Sequence, residues 1–230
     1  MTTIAANLQA VRERIAGACA TAGRDPATVV LLAVSKTWPA AAVGEAARAG
    51  QRAFGESYVQ EAVAKIEALP EGELEWHFIG PLQSNKTRQV AEHFDWVHSV
   101  ERLKTAERLS AQRQTHRSPL QTCIQVNISG EASKSGCDPA ELPSLAHAVA
   151  QLPQIRLRGL MAIPEPTDDP VRQRWGFATL REMRDRLNSE GLALDTLSMG
   201  MSHDLEAAIL EGATIVRVGT AIFGERVYSE

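Results

Sequence analysis

Two hydrophobic rhythms alternate along this chain. Val29 to Val34 is an unbroken apolar run, the pattern of a strand buried on both faces in a parallel sheet. Ile4, Leu8, Val11 and Ile15 instead recur at helical spacing, with Arg12, Glu13 and Arg14 on the other side, and predict an amphipathic helix ending near Gly23. The same exchange continues to the C-terminus. Strands are expected over residues 29–36, 53–57, 75–80, 95–100, 121–128, 155–163, 196–200 and 215–219. Helices are expected between them over 40–49, 58–69, 83–93, 101–116, 142–152, around 177–187, and over 204–211. Pro39 opens the alanine-rich helix and Gly50 stops it, while Pro164, Pro166 and Pro170 mark a loop.

Eight strands separated by helices, with no linker or break in composition, predict α/β architecture: a single closed (β/α)8 barrel, a TIM barrel, spanning residues 1–230 as one domain. An open doubly wound sheet is the alternative. It is weakened by the lack of a GxGxxG or GxxxxGK[ST] segment after the first strand.

Composition narrows the functional classes. The 230 residues carry a net charge of −4 with scattered basic positions, which argues against a nucleic-acid footprint. No apolar stretch is long enough to span a membrane, and the first residues do not read as a secretory signal. Cys19, Cys123 and Cys137 are too few and too far apart for a zinc framework or a disulfide scaffold. A reduced, cytoplasmic protein is expected, with no metal site.

In a barrel, chemistry is built at the C-terminal ends of the strands. Reading those ends in order gives Lys36 and Thr37, Glu56 and Ser57, His77 with Gly80, Asn127 and the loop residue Lys134, Met161, Ser202, and Arg217 with Gly219 and Thr220. A partly desolvated Lys36 amine loses its proton more readily than a surface lysine and can then attack an aldehyde. The loops after the last two strands often bind phosphate, and Ser202, Gly219 and Thr220 offer hydroxyl and amide donors there; Asp204 and Glu206 count against it. Arg217 stands inside an apolar strand and needs either a barrel carboxylate or a ligand as partner. His77 reads more readily as a satisfied core histidine than as a catalyst.

With these residues in view, the chain resembles the pyridoxal 5′-phosphate (PLP) homeostasis proteins, the YggS/PROSC family, which are related to the N-terminal barrel of alanine racemase. The resemblance runs through AVSKT at 33–37, FGESYVQE at 54–61, WHFIGPLQSNK at 76–86, VNISGEASKSG at 126–136, GLMAIP at 159–164, SMGMSHDLEAAI and VRVGTAIFG. It implies PLP held as an internal aldimine on Lys36, phosphate contacts from Met201, Ser202, Gly219 and Thr220, and Arg217 beside the pyridine nitrogen. Ser57 and His77 complete the expected cofactor contacts, and no residue is assigned a catalytic role; Lys134, in a polar loop near the mouth, is the candidate second lysine for the cofactor, with a solvated loop lysine as the alternative. The family often has asparagine at Ser57, lysine at Trp38 and aspartate at His203, so contacts at those positions differ here.

An arginine can only donate, so the ring nitrogen beside Arg217 stays unprotonated and the ring is a poor electron sink. Racemisation needs acid–base groups on both faces of the aldimine, and with about eleven residues past the last expected strand no second domain is expected to supply the other group. The expected function is therefore binding and delivery of PLP in intracellular homeostasis, with PLP-dependent apo-enzymes as partners. A PLP-dependent amino-acid racemase is the alternative, and a phosphosugar enzyme using Lys36 for a Schiff base is a weaker third.

Overall fold

The computed structural model describes residues 3–70, 73–129 and 135–225. Eight parallel strands close into a barrel in chain order: β1 (Val30–Val34), β2 (Ala53–Glu56), β3 (Glu75–Phe78), β4 (Trp96–Val100), β5 (Leu120–Gln125), β6 (Ile155–Met161), β7 (Thr196–Ser198) and β8 (Ile215–Val218). The barrel shuts where β8 pairs with β1, with Leu32 opposite Arg217 and Ala33 opposite Val218. Helices α1 (Ile4–Thr21), α2 (Ala40–Arg48), α3 (Val59–Ala68), α4 (Thr87–His93), α5 (Leu103–Gln112), α6 (Leu142–Ala150), α7 (Pro170–Ser189), α8 (Leu205–Leu210) and α9 (Thr220–Phe223) follow in order around it. The expected (β/α)8 architecture is the one observed.

Alternation along each strand divides the apolar residues into two cores. Leu32, Ala53, Trp96, Cys123, Met161 and Ile215 form a small cluster inside the barrel. A much larger shell, including Phe54, Phe78, Val97, Ile124, Leu160 and Val216, packs the strands against the helices. The interior cluster is small because polar side chains occupy much of the remaining barrel volume.

Several boundaries differ from expectation for identifiable reasons. Val30 is 41% exposed, so the first strand is buried on both faces only in its second half. The helix expected over 83–93 begins at Thr87, and that over 101–116 is confined to Leu103–Gln112. The helix around 177–187 is longer, starting at Pro170. Asp169 caps it by accepting from the Val171 amide at 2.9 Å, and proline suits a first-turn position whose N–H would have no intrahelical acceptor. Helix α9 was not expected. The three cysteines are unpaired and buried; burial pushes the Cys123 and Cys137 thiols up to about 12. Among the described residues no helix is long and apolar enough to cross a membrane, and no cluster is fit to hold a metal ion.

Candidate functional site at the C-terminal mouth of the barrel

Lys36 lies in the turn just past β1 and is half-buried. The turn has an unusual anchor. Thr37 has φ of 71°, a left-handed conformation that a β-branched residue rarely adopts, and its amide donates to Glu61 Oε1 at 2.6 Å. The same carboxylate oxygen accepts from Lys65 Nζ at 2.5 Å. Lys65, only 5% exposed, also donates to Glu56 Oε1 and to the Ser35 carbonyl, both at 2.8 Å. The Ser35 hydroxyl adds a bond to Glu56 Oε1 at 2.7 Å. Three N–H donors of one buried ammonium thus hold the backbone before Lys36 and, through Glu61, the backbone after it. Burial raises the Glu56 carboxyl above its ordinary range despite Lys65, and Glu56 Oε2 has no hydrogen-bond partner among the described residues.

Across the β1–β8 seam stands Arg217, 4% exposed. Its Nη1 donates to the Ser198 carbonyl at 2.6 Å and to Ser198 Oγ at 2.8 Å, and its Nη2 to the Ala162 carbonyl at 2.9 Å. Those bonds use three of the five N–H donors of a guanidinium. Burial lowers its pKa to about 10, opposed by the Asp204 carboxylate, so the group remains cationic at neutral pH. No barrel carboxylate pairs with it by direct contact among the described residues.

The loops after β7 and β8 flank the arginine. Gly200, at φ of 90°, leaves room where any side chain would run into Ala208, and so turns the chain into Met201 and Ser202. The Met201 amide donates to Asp204 Oδ1 at 2.5 Å, and Arg14 Nη2 donates to the Ser202 carbonyl at 2.9 Å. Burial raises the Asp204 carboxyl. Gly219 precedes α9, whose first residue, Thr220, has no intrahelical acceptor for its amide. Trp38 stacks on Phe223 with centroids 5.9 Å apart and ties the Lys36 turn to this helix.

The remaining expected residues separate. Ser57 is half-buried just beyond β2; a Cβ on Gly80 would strike its backbone, so glycine there allows the two strand exits to approach closely. His203 is exposed. His77 is fully buried, with its ring stacked on Trp96 at 5.3 Å and both nitrogens engaged by protein groups, Glu75 and His98. The structure thus brings Lys36 and Arg217 to adjacent strand exits and places His77 deeper in the barrel. Lys134 lies outside the described residues. Sequence reasoning missed Lys65, Glu61, His98 and Ser198. The available signal was a polar residue at alternating positions of an apolar strand, as with Trp96 and His98 in DWVHSV, or a lysine in register with Ala62 on the buried face of α3.

The match to known proteins follows this geometry. Residues 3–227 fit the family model for the alanine racemase N-terminal domain, which defines the class of barrel. The chain is 65% identical over 228 residues to the pyridoxal phosphate homeostasis protein of Pseudomonas aeruginosa, covering 99% of this chain and 98% of that one. It is 56% identical to the protein of that name from Escherichia coli K12, over the whole of both. The chain belongs to the pyridoxal phosphate homeostasis protein family. Among solved structures, PipY of Synechococcus elongatus PCC7942 with PLP bound superposes with a TM-score of 0.80 at 44% identity, covering 93% of this chain and 100% of that one. Alanine racemase from Corynebacterium glutamicum shares the fold at 19% identity, with a TM-score of 0.66 over 94% of this chain and 60% of that one.

Proposed function

We propose that this chain binds pyridoxal phosphate at the mouth of the barrel and serves to hold and deliver it within the cell. Residues 1–230 are read as one cofactor-binding domain. The observation that carries the reading is Arg217: a buried cation at the strand exits, with N–H donors left over, in a chain 44% identical to a PipY structure with PLP bound. The donor set suits the cofactor. A guanidinium offers hydrogens to an unprotonated pyridine nitrogen, and the small residues Ser202, Gly219 and Thr220 let a phosphate approach backbone amides. Lys36 is the amine for covalent attachment: its nitrogen bonds to the aldehyde carbon and water leaves.

With Arg217 donating, the ring nitrogen stays an acceptor and the bound cofactor withdraws electrons poorly, which favours carriage over amino-acid chemistry. Apo-enzymes that need the cofactor are the intended recipients, and Lys134 is the proposed second amine on the way out.

The test is reduction of the loaded protein with borohydride followed by peptide mass analysis. The expected result is loss of the visible absorbance and a reduced cofactor on the peptide carrying Lys36. Lys36→Ala should abolish that label while retaining non-covalent binding. A label elsewhere would move the attachment point, and an unlabelled protein that binds no cofactor would overturn the reading. Turnover of a panel of amino acids by the native protein would favour a racemase over a carrier.

A further inference from the structure

The barrel interior contains a continuous line of polar groups running from its N-terminal end to Arg217. Arg217 Nη1 lies 2.8 Å from Ser198 Oγ, Ser198 Oγ is 2.7 Å from His98 Nδ1, His98 Nε2 is 2.8 Å from His77 Nδ1, and His77 Nε2 is 2.7 Å from Glu75 Oε1. Both histidines and Ser198 are fully buried, while the Glu75 side chain is about half-exposed at the opposite end from the mouth. The two ends differ in kind: a guanidinium only donates and a carboxylate only accepts.

With both rings neutral, that difference fixes every proton between them. Ser198 Oγ accepts from Arg217, and its own hydrogen has one neighbouring acceptor among the described residues, His98 Nδ1. His98 is neutral, because burial holds it well below its ordinary value and the charge of Arg217 pushes the same way. Its proton therefore sits on Nε2 and is donated to His77 Nδ1. His77 then carries its proton on Nε2 and donates it to Glu75, whose carboxyl is held down by that bond. In the reversed arrangement a neutral His77 would turn a lone pair toward the Glu75 carboxylate at 2.7 Å, and the Ser198 hydrogen would lose its acceptor. A buried polar line of this kind is costly if any member is unsatisfied.

We infer that Glu75, at the far end of the barrel from the mouth, is a positioning residue for Arg217: its carboxylate orders the His77 and His98 tautomers and the Ser198 hydroxyl, and so keeps the guanidinium aimed at the ligand. The ligand half of this statement rests on the proposed cofactor reading; the proton order does not.

The decisive measurement is therefore made on ligand-free protein. Nitrogen-15 chemical shifts and long-range couplings of the histidine rings at neutral pH should show His98 and His77 both neutral and both protonated on Nε2. A His98 protonated on Nδ1, or an imidazolium at His77, overturns the inference. Glu75→Leu, which removes the acceptor, should disturb the His77 and His98 signals and weaken PLP binding by about three- to tenfold. Glu75→Gln keeps an acceptor oxygen and should restore both. Unchanged ring signals in Glu75→Leu would show that the carboxylate orders nothing. Altered ring signals with unchanged PLP affinity would leave the proton order intact and remove its role toward the ligand. If native protein bound no PLP at all, the cofactor reading would fail while the ring signals still decided the proton order.

Discussion

Two buried polar assemblies meet the mouth of this barrel, and they are built on opposite principles. Behind Lys36, between barrel and α3, one ammonium is surrounded by acceptors: two carboxylates and a carbonyl converge on Lys65 within 2.8 Å. Beneath Arg217, a cation at one end and a carboxylate at the other are joined by two buried histidine rings and a hydroxyl. The first assembly is compensation at a point, and removing its cation strands a buried carboxylate. The second is ordering along a line, where a change at one end is felt as a change of hydrogen-bond direction at the other. The first clamps backbone; the second aims a side chain.

The largest effect that separates them should come from Lys65→Ala. It leaves Glu56, fully buried, without its cation, and the expected loss is about 3–5 kcal/mol in urea unfolding, moderated at low pH where Glu56 takes up a proton. A loss under 1 kcal/mol would mean that water replaces the ammonium and that the clamp is not a closed ion cluster. Arg217→Met should cost less, about 1–3 kcal/mol, because it strands the carbonyls of Ser198 and Ala162 rather than a charge. Its greater consequence should be weaker PLP binding, read by absorbance titration.

The line also has a pH signature. The His98 pKa is depressed in the folded state, so its stabilising contribution is present above the ordinary value of 6.5 and is lost as pH falls below it, where the unfolded chain binds a proton that the folded one does not. Native protein should lose up to about 1.4 kcal/mol per pH unit from this group on acidification below 6.5. His98→Gln should flatten that limb of the urea-midpoint profile; an unchanged limb would place the acid sensitivity elsewhere. The Glu56 carboxyl works in the other direction. Its raised value makes protonation favour the folded state, so it opposes the acid loss in the window just above its ordinary 4.5.

The smallest effect belongs to the strained turn. Thr37→Gly removes a left-handed β-branched residue and should stabilise the fold by about 1 kcal/mol while loosening the Lys36 backbone. A destabilised variant would show that the Glu61 bond depends on the threonine side chain.

The barrel was legible in the sequence because its signal is local and repeated. Each apolar strand and each helical face declares itself within ten residues, and eight such units admit few topologies. Lys36 and Arg217 were legible for a related reason: a charged residue at or inside a run such as VVLLAV or IVRV contradicts its surroundings and calls for an explanation. Helix α9 and the early start of α7 were missed because they depend on tertiary support and on a proline whose reading changes with position.

Lys65 and His98 were not legible as parts of a site. Lys65 looks like any surface lysine on an amphipathic helix until Glu56, nine residues earlier on a strand, is folded against it. His98 and Ser198 are one hundred residues apart and meet only because barrel closure sends alternating side chains of distant strands into one interior. The order of hydrophobic and polar residues determined which segments are strands, which ends carry chemistry and that a cation lies in the last strand. Closure of the sheet decided the rest, because hydrogen bonds between buried groups are set by angstrom-scale placement that no local sequence pattern encodes.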